Sequence, residues 1–167
     1  MNTTQFSRRN FATRITAFFA GLGIAKATLA TAASAAPQTG SVQKLDYEGK
    51  PAGTGFITPL ILNAGLIYIA GQGAHSHDSS DFPMDIDTHT KKVMDSVKKL
   101  VETGGGTMDS ILQLTVYLTN IDNYDGMNKV FKTYFPNGGP ARTTVAVAAL
   151  PGNSLVEINC IAAVVRK

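Results

Sequence analysis

Pro140-Ala141-Arg142-Thr143-Thr144-Val145-Ala146-Val147 starts a β-strand on a permanent cation, and Glu157 follows fifteen residues after the arginine. The β-branched and apolar residues after Arg142 favour extended backbone, and the loop Pro136-Asn137-Gly138-Gly139-Pro140 ahead of them supplies a break. Downstream of residue 14 the only arginines are Arg142 and Arg166. A guanidinium at the head of an apolar strand either ties the fold together or waits for an anion. Its planar fork meets a carboxylate with two parallel hydrogen bonds, which a lysine ammonium cannot do. The purely structural reading is a salt bridge from Arg142 to Glu157 across adjacent strands.

Elements can be read outward from this strand, Thr143–Ala149. Leu150-Pro151-Gly152-Asn153-Ser154 separates it from a closing strand, Leu155–Val165. Upstream, Tyr124–Phe135 reads as a helix with Met127, Val130, Phe131, Tyr134 and Phe135 as its apolar face. Ile111–Leu118 is a strand. Asp85–Thr103 reads as a longer helix: Ile86, Val93, Val97, Leu100 and Val101 recur at near-helical spacing, and Gly104-Gly105-Gly106 ends it. Phe56–Asn63 and Leu66–Ala70 are strands joined by an Ala64-Gly65 hairpin turn. Before them, residues 36–55 read as a linker leading into a short strand near Lys44–Tyr47. The order β-β-α-β-α-β-β, with one more strand at the front, predicts an α+β fold in which two helices cover one face of a mixed sheet. Past its start, the last strand is apolar on both faces. Its second face is therefore expected to be covered too, by helices or by another subunit.

The N-terminus reads as a targeting segment. Ser7-Arg8-Arg9-Asn10-Phe11 resembles the twin-arginine export motif, Ile15 to Ala25 is a short apolar run, and Ala33-Ser34-Ala35 offers a small-residue cleavage site. The apolar run is too short to span a membrane. The expected domains are residues 1–35 as export signal, 36–55 as linker and first strand, and 56–167 as the folded domain, with a periplasmic or secreted destination. Of 15 basic and 12 acidic side chains in the whole chain, the signal holds Arg8, Arg9, Arg14 and Lys26 and no acid. The remaining 132 residues carry 11 basic and 12 acidic groups, a net charge of −1. That near-neutral balance argues against nucleic acid as a partner, which needs a clustered basic surface. With the signal removed, no membrane association is expected.

Phosphate-loop, dinucleotide-loop and Gly-x-Ser-x-Gly patterns do not occur in the sequence. His75-Ser76-His77-Asp78, with His89 and Asp81 or Asp85, offers ligand-type side chains, but the spacing fits no closed metal motif, so no metal is expected. The single cysteine, Cys160, lies in an apolar strand pattern and reads as a small buried hydrophobe.

Together, Ile69-Ala70-Gly71-Gln72, Thr115-Val116-Tyr117-Leu118, Asn128, Gly139 through Val147, Leu150-Pro151 and Val156-Glu157-Ile158 resemble the RidA (YjgF-type) family of reactive-intermediate deaminases. The resemblance covers about Phe56 to Arg166. It implies a chorismate-mutase-like fold, a homotrimer with clefts between subunits, and hydrolysis of enamine or imine acids to 2-oxo acids and ammonia without a cofactor. Carried over by position, Arg142 holds the substrate carboxylate, assisted by the Thr144 backbone N–H, and Glu157 handles the attacking water. Asn128, Phe56, Ala70 and Gly71 shape the cleft. The resemblance also places hydroxyls where this chain has Phe56 and Ala70. That motivates an alternative, a trimer that binds small carboxylates without turning them over.

Overall fold

The computed structural model describes residues 40–74 and 84–165. Along the chain run β1 Gln43–Leu45, β2 Leu60–Asn63, β3 Leu66–Gly73, α1 Ile86–Thr103, β4 Ile111–Leu118, α2 Tyr124–Phe131, β5 Ala141–Ala146 and β6 Val156–Ala163. The strands form one sheet in the order β1-β2-β3-β6-β4-β5. All neighbours are antiparallel except β4 and β5. A parallel pair needs a crossover, and α2 provides it. The expected α+β mixed sheet is present, with the additional front strand. The segment 1–35 and the residues His75, Ser76, His77, Asp78 and Asp81 lie outside the described residues.

Side-chain alternation sets the layers. On β6, Val156, Ile158, Cys160 and Ala162 are buried, while Glu157, Asn159, Ile161 and Ala163 between them are half-exposed. The buried set registers with Leu118, Val116 and Leu114 of β4. These residues join Val93, Met94, Val97, Leu100 and Val101 of α1, and Met127 and Phe131 of α2, in one core. Both helices therefore sit on this face, as expected. Among the described residues nothing covers the second face, where Tyr68 and Val145 are exposed and Ile61 and Ile161 half-exposed. Of the two ways to cover it, helices of the same chain are ruled out for the described residues.

Local chemistry explains where the boundaries hold. Asp85 caps α1, its side chain accepting the Thr88 backbone N–H at 2.8 Å. Ala64 and Gly65 both have positive φ, 49° and 80°, the geometry of the tight hairpin turn.

Elsewhere the structure corrects the sequence boundaries. The strand expected from Phe56 begins only at Leu60, because Pro59 has no N–H to give a ladder, and Phe56 is fully exposed in the preceding loop. The short first strand closes at Leu45 rather than Tyr47, where Asp46 accepts the backbone N–H groups of Glu48 and Lys50 and turns the chain. The strand expected within residues 36–55 is thus present, starting one residue earlier and ending two residues sooner. The second helix ends at Phe131 and tightens into a 3₁₀ turn at Lys132–Tyr134, since Phe135 precedes Pro136 and is driven out of helical backbone. The strand expected at Thr143–Ala149 runs Ala141–Ala146 instead. Its partner β4 stops at Leu118, so the ladder has nothing to continue on.

Candidate functional site

Arg142 and Glu157 lie on opposite faces of the sheet. Arg142 registers with Leu114, which points toward the helices, whereas Glu157 registers with Tyr117 on the uncovered face. Residues paired across a ladder project to the same side. The purely structural reading, a salt bridge between them within one chain, is therefore not met: β4 runs between the two strands, and the side chains point apart. Ion pairs among the described residues include Lys91–Asp95, Lys98–Glu102, Lys99–Glu48 and Lys129–Asp87.

On the helix side, Arg142 is held by neutral groups. Its Nη1 donates to Asn128 Oδ1 at 2.7 Å and its Nη2 to the Tyr124 hydroxyl at 3.2 Å. The guanidinium carbon lies 4.8 Å from the Phe131 ring centre and 5.7 Å from that of Tyr124. Tyr124 and Asn128 are one helical turn apart on α2, so a single face orients the cation. None of these partners neutralises it, and a guanidinium has five donors, so capacity remains for an anion. β5 is the outermost strand, with one row of backbone groups facing away from β4. Thr144 points to the same side as Arg142, and its Oγ1 is buried without a hydrogen-bond partner.

The other group is built around an irregularity in β3. Ile69 pairs with Cys160 and Gln72 with Ile158, so two residues, Ala70 and Gly71, oppose the single Asn159. Such a bulge frees backbone groups and re-aims side chains. Gln72 is buried, and its Nε2 donates to the carbonyls of Ala70 at 2.9 Å and Gly71 at 3.2 Å. The bulge is thereby fixed from within. Glu157 lies directly over Gly71: a methyl carbon added there would come 2.9 Å from Glu157 Cδ. Only glycine leaves the carboxylate this seat. Beside it is a cavity of about 320 Å³, lined by Ile69, Ala70, Gly71, Tyr117, Val147, Ala149, Leu150, Glu157 and Asn159. The chain just ahead of β6 is pinned twice. Ser154 Oγ accepts from the Ala74 N–H at 2.8 Å, and the Leu155 N–H donates to His89 Nδ1 at 3.0 Å.

The sequence candidates thus fall into two sets. Asn128 and Thr144 join Arg142, whereas Ala70 and Gly71 join Glu157. Phe56 stands outside both and is not among the cavity residues. His89, a possible metal ligand by type, is buried and committed through Nδ1 to the β6 approach. Among the described residues no three His, Cys, Asp or Glu side chains come together to hold a metal ion. Burial pushes the Cys160 thiol up to about 12, which suits a core residue rather than a nucleophile. A larger depression of about 450 Å³ lies on α1 among Lys91, Lys92, Asp95 and Lys99, away from both sets. Sequence reading missed Tyr124 and Gln72. The i, i+4 spacing of Tyr124 and Asn128 was the available signal for the first, and a lone amide inside an apolar strand for the second.

The family described as Endoribonuclease L-PSP matches residues 50–164. The chain belongs to this family, the YjgF/RidA proteins. A RutC family protein of Pyrococcus abyssi is 31% identical over 116 residues, 69% of this chain and 91% of that protein. Among solved structures, a Rid-family protein of Yersinia pestis shares 33% identity with a TM-score of 0.65, over 74% of this chain and 100% of that one. RidA from an Antarctic Psychrobacter shares 26% identity with a TM-score of 0.63, over 72% and 98%. The six-stranded sheet and two helices of this chain match the L-PSP/YjgF structures.

Proposed function

We propose that this RidA-family chain hydrolyses reactive 2-imino and enamine acids to 2-oxo acids and ammonia, in a site shared between two copies. The observation that carries the reading is a cation and a carboxylate, each without an ionic partner among the described residues, presented on opposite faces of one sheet. One chain cannot bring them to the same small molecule. A second copy packed on the uncovered face can set its Arg142 edge against the Glu157 cavity, and closing three such contacts in a ring gives the homotrimer the family resemblance implies.

The chemistry asks little of the protein. Arg142 binds the substrate carboxylate through two charge-assisted hydrogen bonds, with Asn128 and Tyr124 fixing the guanidinium plane and the Thr144 backbone N–H assisting. Glu157 accepts a proton from water as the water oxygen bonds to the imine carbon, and passes that proton to the nitrogen as the double bond opens to the carbinolamine. Glu157 then takes the carbinolamine hydroxyl proton and returns it to the nitrogen, so that the carbonyl forms as the C–N bond breaks and ammonia leaves. Glu157 serves as base and then acid, and no cofactor enters the sequence. The imine carbon is already electrophilic, so most of the acceleration comes from placing water and substrate together.

Purified protein should speed ammonia release from imino acids generated in place by an amino-acid oxidase, and Arg142→Ala should abolish the effect. No acceleration with any imino acid overturns the deaminase reading. A second reading, binding without turnover, is favoured by Ala70, which puts a methyl group rather than a hydroxyl on the cavity wall. Saturable calorimetric binding of 2-oxo acids in the absence of turnover is its signature. RNA cleavage, which the family's description names, finds less support: the domain is near neutral, and Lys91, Lys98 and Lys99 on α1 each lie beside an acid. The resemblance of Ser7–Phe11 to a twin-arginine motif supports, as part of the same proposal, a site of action outside the cytoplasm. Detection of a shortened mature chain in a periplasmic fraction checks that part.

A further inference from the structure

We infer that the cavity beside Glu157 selects imino acids whose side chains are uncharged, apolar and larger than a methyl group. The inference rests on the deaminase reading for its reaction, though the cavity's preference can be read without turnover. The cavity is formed from three directions. Ile69, Ala70 and Gly71 come from the β3 bulge, Tyr117, Glu157 and Asn159 from the floor of β4 and β6, and Val147, Ala149 and Leu150 from the segment that carries the chain from β5 past β4 to β6.

Charge narrows the class of ligand. No lysine or arginine lines the cavity, so it offers no countercharge to a second carboxylate, and Glu157 repels one. Once Arg142 of a neighbouring copy has taken the substrate carboxylate, the side chain on the same carbon is the group left to fill the recess. Both walls present aliphatic surface. Where a serine at residue 70 would favour a polar side chain, Ala70 offers a methyl group. At about 320 Å³ the space exceeds what a methyl or methylene side chain fills. Each buried methylene is worth roughly 0.8 kcal/mol, about fourfold in kcat/KM. A leucine- or phenylalanine-derived imine should therefore exceed the alanine-derived one by at least about tenfold.

The experiment compares kcat/KM for imines generated in place from alanine, leucine, phenylalanine and glutamate, alongside calorimetry with pyruvate, 4-methyl-2-oxopentanoate, phenylpyruvate and 2-oxoglutarate. Expected is at least about a tenfold preference for the leucine- or phenylalanine-derived compounds, with Leu150→Ser lowering that ratio. Equal or better turnover of the alanine- or glutamate-derived imine overturns the inference. If no imine is turned over, the deaminase reading fails alone, and calorimetry decides the cavity. Tighter binding of the bulky 2-oxo acids supports the inference, whereas equal or reversed affinity, or no binding at all, overturns it.

Discussion

Gly71→Ala separates the seat of Glu157 from the stability of the fold. The new methyl carbon would lie 2.9 Å from Glu157 Cδ, 3.3 Å from Cγ and closer still to Oε1. Gly71 does not use left-handed backbone, so alanine is conformationally acceptable there. The close contacts are all with the far part of one flexible side chain on a half-exposed face, not with backbone. Swinging that side chain aside costs about 0.5–1.5 kcal/mol. A stiffer unfolded chain returns roughly 0.4–1 kcal/mol. Net stability should change by less than about 1 kcal/mol, a few degrees in Tm. The carboxylate, however, must move by about 1 Å or more, and misplacing a catalytic group by that much costs on the order of 100-fold. Steady-state kinetics on oxidase-generated imino acids, read by semicarbazone absorbance, should show kcat falling by about that factor. KM, set on the Arg142 side, should change little. Thermal melts run alongside the kinetics. Full kcat at unchanged Tm refutes the role given to the Gly71 seat. A fall in Tm beyond about 10 °C refutes the steric reasoning, because the methyl group would then be meeting the frame of the sheet.

Other expectations follow from single contacts. Arg142→Lys keeps the charge but loses the fork, so affinity for 2-oxo acids should fall about 10–100-fold by calorimetry with Tm nearly unchanged; retained affinity contradicts carboxylate binding there. The Tyr134 hydroxyl donates to Asp95 Oδ1 at 2.7 Å and Lys91 Nζ reaches Oδ2 at 2.7 Å, tying α1 to the turn after α2. Burial pushes the Asp95 carboxyl up, but those two hydrogen bonds outweigh it and hold it below its ordinary 3.8. A lowered folded value means the stabilisation is complete above that ordinary value and disappears as the pH falls through the lowered one. Tyr134→Phe should therefore cost about 0.5–1 kcal/mol at pH 7, the range for a solvent-exposed charged contact, and less at pH 3. Urea melts showing the same cost at both pH values contradict it. With its thiol at about 12, Cys160 should resist iodoacetamide at pH 8 in the native protein and react once unfolded. Rapid native labelling contradicts its burial.

Local pattern made much of the fold legible. The period of 3.6 in α1, the polar turn pairs and the alternation in β6 are short-range signals, and they placed most elements to within a few residues. The strand drawn through Phe56 and Ile57 failed because both are apolar yet exposed, 100% and 66%, in a loop that Pro59 stops from joining the ladder. The candidate residues were legible one by one, but their separation was not. Whether Arg142 and Glu157 share a face depends on the order β6-β4-β5 and on the registers of both ladders, and these follow from a parallel crossover rather than from any local pattern. The bulge at Ala70-Gly71 is equally non-local, since it exists only against Asn159. Asn128 could be placed at the arginine only once Arg142 was known to point to the helix side of the sheet, where the two side chains meet at 2.7 Å.

Opposite faces make a direct demand. If a working site takes Arg142 from one copy and Glu157 from the next, chains carrying Arg142→Ala and chains carrying Glu157→Gln are each inactive alone, yet their co-assembled oligomers contain intact sites. In a closed ring of three, every mixed oligomer holds one site in three with both groups. Co-expressed and co-purified under two affinity tags, the mixed oligomers should recover on the order of a third of wild-type activity. Mixed oligomers no more active than the two variants purified separately would contradict the shared site.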